Sequence, residues 1–300
     1  MPDQRSGFLY GFGAYLLWGV FPLYWRLLDH SSAVEMLAHR IVWSLLTILA
    51  LLFALRRTAQ LRAILSDRRR MWPLVIASAL ISVNWGTYIW GVNNGYVVEM
   101  SLGYFITPLF AVLLGVLLLK ERLRTTQWIA IGIAFAAVVV LTVENGRPPY
   151  VALVLAFSFG FYGYTKKKAN AGAVEGMAIE SAAVAPLALA VIVALGIQGQ
   201  STVTSNGGGY FLLAVLAGPV TAIPLLLFGA AATRISMTAL GLLNYVAPIM
   251  QLAIGVLVFR EPMSSLRWAG FALVWVALVI LTVDGLSQQR RRVPVLATTV

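Results

Sequence analysis

The sequence contains no cysteine, which excludes disulfides, thiolate nucleophiles and cysteine-ligated metal sites. It also has little charge, because 11% of its residues are charged against roughly 25% in soluble domains. Its two histidines form no HExxH motif, and a GxSxG motif and a Walker-type phosphate loop are also absent. These absences argue against a soluble protein, an ATP-driven pump of the Walker type and a familiar intramembrane enzyme. We expect no cofactor and no metal.

Hydrophobic residues make up 60% of the chain, and its mean hydropathy is +0.86. A helix needs roughly 20 apolar residues to cross about 30 Å of hydrocarbon. Ten segments meet this requirement, so we predict an all-α polytopic membrane protein with ten transmembrane helices. The segments are 7–28, 34–55, 72–93, 97–119, 126–143, 150–165, 174–195, 210–232, 237–259 and 266–283.

The distribution of basic residues predicts the orientation. With a cytoplasmic N-terminus, all but five of the 22 lysines and arginines lie on the cytoplasmic side. The five exceptions are Arg26, Arg40, Arg147, Arg260 and Arg267. Both termini, including a basic tail at 287–300, are therefore predicted to be cytoplasmic. The net charge of +11 is explained by this topology, and no nucleic-acid partner is expected.

The chain contains an internal repeat. Pro108 and Pro248 are 140 positions apart, as are Trp128 and Trp268, and "AVE" at 33 recurs at 173. The repeat divides the chain into units at 1–147 and 148–286, each with five predicted spans. Because five is odd, the two units must have opposite orientations in the membrane. Inverted repeats around a site near the midplane are typical of secondary transporters.

Several motifs resemble a known family. They are "AHRIVWS", "NWGTYIWGVNN", "SLGYFITPL", "KERL" followed by "QW", and "AATR…LGLLNYVAP". Together they resemble the EamA-type permeases of the drug/metabolite transporter superfamily, and in particular the RarD group, described as chloramphenicol-sensitivity proteins. The resemblance implies ten helices in two five-helix repeats, a location in the bacterial plasma (inner) membrane and a permease role with export as the direction. It implies no particular substrate.

The second predicted span has one polar face. A helical wheel places five side chains on one arc, with aliphatic residues on the other: His39, Arg40, Trp43, Ser44 and Thr47. Arg40 is therefore predicted to face protein or an aqueous cavity. Three interpretations of it remain open: extension to the outer interface, a structural ion pair with Glu35 or Glu99, and a role in substrate binding or gating. For His39, packing competes with proton coupling or substrate contact.

The third span carries a second candidate cavity face. Asn84, Tyr88, Gly91 and Gly95 share a narrow arc, while Trp85 and Trp90 are predicted to point elsewhere. Close helix packing is the alternative, because small residues also recur in this span: Ser78, Ser82 and Gly86.

Pro108 and Pro248 occupy equivalent positions in spans four and nine. Each proline removes an amide donor and frees the carbonyl four residues earlier, so we predict helix breaks there. The neighbouring candidates for cavity residues are Tyr104, Asn244, Tyr245 and Gln251. A packing kink without substrate contact is the alternative.

Glu180 is the counterpart of Arg40 in the second repeat. It is a candidate proton-coupling residue, together with His39, or a carboxylate with local hydrogen bonds. A direct pair with Arg40 is not expected. The turns "KER" at 120 and "FRE" at 259 are predicted to act as caps and interface anchors.

These observations favour a permease that moves a small organic metabolite or drug by alternating access. The expected partners are the small-molecule substrate and the lipid bilayer, and the sequence gives no oligomeric state. A membrane-embedded sensor or assembly subunit, or an intramembrane enzyme, is the alternative.

Overall fold

The computed structural model describes residues 4–119, 124–232, 234–235 and 243–291, and every regular element in these ranges is helical. The helices are α1 (Gln4–Arg26), α2 (Ala33–Ala54), α3 (Thr58–Leu65), α4 (Arg68–Asn93), α5 (Val97–Leu119), α6 (Thr125–Asn145), α7 (Tyr150–Ala169), α8 (Ala173–Ile197), α9 (Thr202–Ser205), α10 (Gly207–Ala232), α11 (Val246–Ala253) and α12 (Ser265–Arg291). A π-helix, Ile254–Val258, continues α11 directly. The "KER" turn at 120–122, part of the ninth predicted span at 237–242 and the tail at 292–300 lie outside the described residues.

Within the described ranges, seven helices are long and apolar enough to cross a membrane: α1, α2, α4, α6, α8, α10 and α12. They show that the chain is an all-helical, multi-pass membrane protein. Helices α5 and α7 coincide with the predicted spans at 97–119 and 150–165, and α11 covers part of the predicted span at 237–259.

The helix ends follow from local side chains. The Ser32 hydroxyl accepts the N–H of Glu35 at 3.1 Å and caps the start of α2. Asp67 caps α4 in the same way, accepting the N–H of Arg69 at 2.9 Å. After α6 the chain adopts a left-handed conformation at Gly146, with φ of 64°, which a glycine adopts without strain.

Helix α2 has the two faces that the wheel predicts. His39, Arg40 and Ser44 are buried against other helices, whereas Leu46 is 51% exposed and Phe53 is 69% exposed. Large apolar side chains that are exposed on a membrane helix contact lipid, so burial of the polar side chains directs the aliphatic face outward.

The helix packing has a repeating pattern. Helices α2 and α8 contact each other, as do α5 and α11, and α6 and α12. The contact of α5 with α7 recurs as α11 with α1, and that of α4 with α7 recurs as α10 with α1. Each of these contacts is kept when the helices of 1–147 are exchanged with their counterparts in 148–286. Arg40, on α2, lies where α1, α2 and α4 meet.

Candidate functional site

Arg40 is the eighth residue of α2 and is only 4% exposed. Its guanidinium carbon lies 3.7 Å from the centroid of the Trp85 ring on α4 and 5.3 Å from that of Trp25 on α1. Each such cation–π contact contributes about 0.5–2 kcal/mol. On insertion scales an arginine at the bilayer centre costs roughly 2.5–3.5 kcal/mol. The two rings therefore offset much of the cost of burial but leave the positive charge unneutralised.

Within the described ranges, Arg40 has no carboxylate partner. Glu35 accepts hydrogen bonds from the Ser201 hydroxyl at 3.0 Å and from the backbone N–H of Val203 at 3.2 Å. Glu99 accepts from Arg147 at 3.0 Å. A structural ion pair of Arg40 with Glu35 or Glu99 is therefore wrong as an interpretation. The extension of Arg40 to the outer interface is wrong as well, because the side chain is buried between aromatic rings.

Polar groups surround the guanidinium. The hydroxyls of Tyr24, Tyr88 and Tyr104 all interact electrostatically with Arg40. The Tyr104 hydroxyl donates to Oδ1 of Asn84 at 3.3 Å, and the two tyrosine rings at 88 and 104 lie 6.0 Å apart. This arrangement brings four of the residues predicted from sequence together: Arg40, Asn84, Tyr88 and Tyr104.

Asn84 connects this group to the second half of the chain. Its Nδ2 donates to the Ser158 hydroxyl at 3.0 Å and to the Leu155 carbonyl at 3.1 Å, both on α7. Asn84 is 1% exposed, so these hydrogen bonds satisfy an amide that would otherwise be costly to bury. A change in the contact between α4 and α7 would therefore move a neighbour of Tyr104.

Several buried polar atoms on α1, α2, α4 and α11 have no hydrogen-bond partner among the described residues. They are Trp25 Nε1, His39 Nε2, Arg40 Nε, Trp43 Nε1, Ser44 Oγ, Tyr88 Oη and Gln251 Oε1. Most buried polar groups in proteins are hydrogen-bonded, and each unsatisfied one costs about 1–3 kcal/mol. Three of them, Trp25 Nε1, Arg40 Nε and Tyr88 Oη, belong to side chains that meet at the guanidinium, and a polar ligand bound there would supply the missing partners.

The other candidates on α2 lie beside this site. His39 is 5% exposed, and its Nε2 is one of the unpartnered atoms. The ring of Trp43 meets that of Phe211 edge to face at 6.0 Å, so it packs toward α10. Both residues are on the protein side of α2, and Trp43 packs against a ring other than the two that contact Arg40.

The candidates of the ninth predicted span are more dispersed. Asn244 and Tyr245 form a turn just before α11, and both are half-buried. Tyr245 packs against the apolar cluster that contains Phe105, away from Trp85 and Trp25. Gln251 is buried and its Nε2 donates to the Trp18 carbonyl at 3.2 Å, which places it between α11 and α1.

The two prolines do not behave alike. Helix α5 continues through Pro108 to Leu119, so the predicted break is not observed there. A proline inside a long helix is accommodated when neighbouring helices satisfy the freed carbonyl. Pro248 lies in the first turn of α11, directly after the non-helical Asn244 and Tyr245. The N–H groups in the first turn of a helix have no helical acceptor, so a proline there costs no backbone hydrogen bond. The helix is therefore interrupted before Pro248, whereas it is continuous through Pro108.

Glu180 forms a separate buried cluster on α8. Its Oε1 accepts from Lys166 Nζ at 2.7 Å and its Oε2 accepts from the Tyr162 hydroxyl at 3.1 Å, both on α7. Glu180 is 3% exposed, and its ion pair with Lys166 leaves no direct pair with Arg40, as expected. The carboxylate therefore has local hydrogen bonds and one cationic partner.

Comparison with known proteins gives one consistent result. The profile of the EamA-like transporter family matches residues 5–143. Protein RarD of Streptomyces exfoliatus is 54% identical over 96% of this chain and 92% of its own length. The uncharacterized transporter YojE of Bacillus subtilis is 41% identical over 96% of this chain and 97% of its own length. This chain belongs to the EamA-like transporter family, in its RarD group.

A solved crystal structure of a protein shares the fold of this EamA-like chain. The TM-score is 0.60 over 94% of this chain and 98% of that chain, at 22% identity. The shared arrangement covers α1 to α12 nearly completely, so the helix order described above is a property of the fold.

Sequence reasoning missed two residues of the site in this EamA-like chain. The rings of Trp25 and Trp85 lie 5.3 and 3.7 Å from the guanidinium carbon of Arg40, although Trp85 was predicted to point elsewhere. The wheel places Trp85 one residue from Asn84 and therefore about 100° away from it. Its long side chain nevertheless reaches the neighbouring α2, because a tryptophan ring extends well beyond the helix radius. An unpaired arginine next to a tryptophan-rich span is the signal that could have identified it.

A cavity of about 170 Å³ lies away from Arg40, between the loops at the predicted outer face. Glu99, Arg147, Glu261 and Arg267 line it. Their charges have internal partners: Glu99 accepts from Arg147, and the Glu261 carboxylate accepts the N–H groups of Val97 and Val98, at 2.7 and 2.8 Å. The "FRE" turn is thus confirmed as a cap, here for α5, and this cavity is structural.

Proposed function

We propose that this chain is a secondary permease of the bacterial inner membrane that exports a small organic metabolite or drug by alternating access. One observation carries the proposal: a membrane transporter of the EamA-like family buries an arginine that has no carboxylate partner among the described residues, beside polar groups that also have none there. A buried charge with open donors is costly to maintain, and in transporters such residues serve binding or coupling. The chain would therefore act as a permease and not as an enzyme.

Two inverted repeats of five helices, at 1–147 and 148–286, would allow the site to open alternately to the two sides of the membrane. The exchange symmetry of the helix contacts supports this arrangement, since α2 with α8 and α5 with α11 map onto themselves. The two glutamates of the "AVE" motifs support it as well. Glu35 contacts the start of α9, and its counterpart Glu175 contacts Arg57 at the start of α3, at 3.4 Å. Exchanging the conformations of the halves would then open the site to opposite sides of the membrane, with both termini in the cytoplasm.

Proton coupling through Glu180 is part of the proposal, with His39 as the second candidate. Protonation of Glu180 would remove the charge that holds Lys166 at 2.7 Å and so loosen the contact between α7 and α8. A contact whose strength depends on a proton can couple a gradient to a conformational change.

The experiment begins with purified protein in detergent and a thermal-stability screen of amino acids, aromatic metabolites and amphenicol drugs. Ligands that raise the melting temperature of the wild-type protein are then tested for counterflow in proteoliposomes. We expect saturable counterflow that Arg40→Ala abolishes while the variant remains monodisperse. A protein that moves none of the ligands that bind to it would contradict the transport function.

The coupling is tested separately with an imposed pH gradient. Glu180→Gln should retain counterflow but lose acceleration by the gradient, because the side chain can no longer exchange a proton. Glu144→Gln is the matched control, since Glu144 pairs with Arg267 at 3.1 Å on the predicted outer face. Wild-type transport that ignores the gradient would remove proton coupling and leave the permease function intact.

A further inference from the structure

We propose that the ligand bound at Arg40 is an organic anion with a single carboxylate group and an apolar or aromatic body. This assignment rests on the proposed function, because it names the substrate class of the same site. It is carried by the charge, by the geometry of the guanidinium and by the walls around it.

The charge of the site requires an anion. A guanidinium remains protonated in proteins, so Arg40 carries a positive charge although it is 4% exposed. Glu35 on α2 and Glu180 on the neighbouring α8 have other partners: Glu35 binds Ser201 at 3.0 Å, and Glu180 binds Lys166 at 2.7 Å. Aromatic rings stabilise a cation but do not neutralise it. A bound anion would neutralise the positive charge of Arg40.

The geometry of Arg40 favours a carboxylate. A distance of 3.7 Å between the guanidinium carbon and the Trp85 centroid is that of stacked groups, so this ring covers one face of the guanidinium. The N–H groups lie in the guanidinium plane and remain available at its edge, and Nε has no partner among the described residues. A planar fork of N–H donors matches the two oxygens of a carboxylate.

The neighbouring donors complete the pattern. The Tyr88 hydroxyl and the Trp25 indole N–H are buried and unpartnered in the described part of the chain, and both side chains are next to the guanidinium. A carboxylate accepts about four hydrogen bonds, so it has lone pairs for these donors in addition to the arginine. These three residues would each gain a partner that the protein does not provide.

The number of charges distinguishes the two ligand classes, because a carboxylate carries one negative charge and a phosphate dianion carries two. A phosphate dianion needs a second cation at the site. Among the described residues, two half-buried cations have carboxylate partners elsewhere: Lys166 pairs with Glu180, and Arg147 pairs with Glu99 at 3.0 Å. Arg40 is the one cation that the described contacts place beside Trp25 and Trp85, and a single cation matches a monoanion.

The aromatic side chains beside Arg40 indicate the chemistry of the part of the ligand that carries no charge. The rings of Tyr88 and Tyr104 lie 6.0 Å apart, and Phe159 of α7 meets Tyr104 edge to face at 6.1 Å. An apolar or aromatic body packs against such rings without leaving polar groups unsatisfied. The expected ligands are therefore amphipathic monocarboxylates.

The test uses isosteric pairs. Purified protein in detergent is titrated with benzoate and benzamide, with indole-3-acetate and indole-3-acetamide, and with inorganic phosphate, and the melting temperature gives the apparent affinity. We expect each carboxylate to bind roughly 10- to 100-fold more tightly than its amide, the factor that corresponds to a hydrogen bond with a charged group. Phosphate should bind more weakly than the carboxylates.

Variants of Arg40 test whether this residue binds the carboxylate. Arg40→Gln should abolish the preference for the carboxylate, and Arg40→Lys should retain part of it because the charge stays but the fork is lost. Arg26→Gln is the matched control: Arg26 is an arginine of α1 whose side chain is 48% exposed and pairs with Asp29. It should bind carboxylates as the wild-type protein does. The wild-type comparison of acids with amides does not depend on the folding of any variant.

Three results would overturn the assignment: no carboxylate binds, the amides bind equally well, or Arg40→Gln keeps the preference. Tighter binding of phosphate would also overturn it. The proposed function fails differently. If carboxylates bind through Arg40 but never exchange in proteoliposomes, the anion site stands and transport does not. If a neutral amphenicol exchanges equally well in wild type and Arg40→Gln, transport stands and the carboxylate assignment does not.

Discussion

The guanidinium of Arg40 on α2 stacks on the indole ring of Trp85 on α4, with 3.7 Å between the guanidinium carbon and the ring centroid. This contact explains how an arginine is tolerated in a helix whose other face is aliphatic. The ring removes the cation from lipid and stabilises it without supplying an opposite charge. The contact therefore stabilises the fold while the charge of Arg40 stays unneutralised by this ring.

The first prediction measures this contact. A double-mutant cycle of Arg40→Gln with Trp85→Leu should give a coupling energy of about 0.5–2 kcal/mol in the free energy of unfolding. The same cycle with Trp90→Leu should give a value near zero, because Trp90 stacks on Tyr96 at 5.2 Å. Equal coupling in both cycles would show that the effect is general loss of packing.

A second prediction concerns the two "AVE" glutamates, which are equivalent in the repeat. Glu35 accepts hydrogen bonds from the Ser201 hydroxyl, the Thr202 hydroxyl and the backbone N–H of Val203. Glu35→Gln loses one acceptor oxygen there and should destabilise the protein by about 1–3 kcal/mol.

Glu175→Gln is its matched control. Glu175 accepts from Arg57 at 3.4 Å, and that arginine is 47% exposed. Glu175 itself is buried, but it accepts this one long hydrogen bond from a partly solvated arginine, whereas Glu35 accepts several, so the loss should be smaller. Chemical unfolding in detergent measures both variants, and a larger loss for Glu175→Gln would contradict the assignment.

The fold was largely predictable because its signals are local. Apolar length, the caps at Ser32 and Asp67 and the periodicity of α2 all depend on neighbours in the sequence. The inward orientation of Arg40 followed from the same periodicity. Its surroundings did not, because the partners of Glu35 and the position of Trp85 depend on how distant helices pack.

The site was predictable in part for the same reason. Tyr104 was proposed from the carbonyl freed by Pro108, yet α5 is continuous there and Tyr104 reaches the site through Asn84. The structure therefore places Tyr104 beside Asn84, but not for the reason that made it a candidate. Tyr245, chosen by the same argument, packs in an apolar cluster instead.

A third prediction concerns a close backbone approach of α5 to α7. A Cβ atom at Gly103 would lie 2.7 Å from the Ala152 carbonyl oxygen and 3.0 Å from its Cα, both backbone atoms that cannot rotate away. Gly103→Ala should therefore destabilise the protein by about 1–3 kcal/mol, the usual cost of overpacking. Gly132→Ala on α6 has open space around it and should stabilise the helix by up to about 1 kcal/mol. Opposite signs in the two melting temperatures are the expected result, and a neutral Gly103→Ala would contradict it.

The last prediction is a pH dependence at Glu261, in the loop between the π-helix and α12. Burial raises the pKa of Glu261, against the opposing effect of the N–H groups of Val98 and Val97. A carboxyl whose pKa is higher in the folded state binds its proton more tightly there. Its contribution to stability is therefore fully present below the unfolded pKa of about 4.3 and is lost as pH rises through the folded pKa.

Glu261→Gln removes this titration and one of the two acceptor oxygens for the amides at the start of α5. At acidic pH the variant should be nearly as stable as the wild-type protein, because a protonated carboxyl, like an amide, presents only one carbonyl oxygen to the two N–H groups. As pH rises through the folded pKa, the wild-type protein should lose stability relative to the variant, and above that pKa the difference is constant. Melting temperatures of both proteins between about pH 4 and pH 8 measure it. A wild-type protein that gains stability relative to the variant as pH rises would mean that the two amides stabilise the ionised carboxylate more than burial disfavours it.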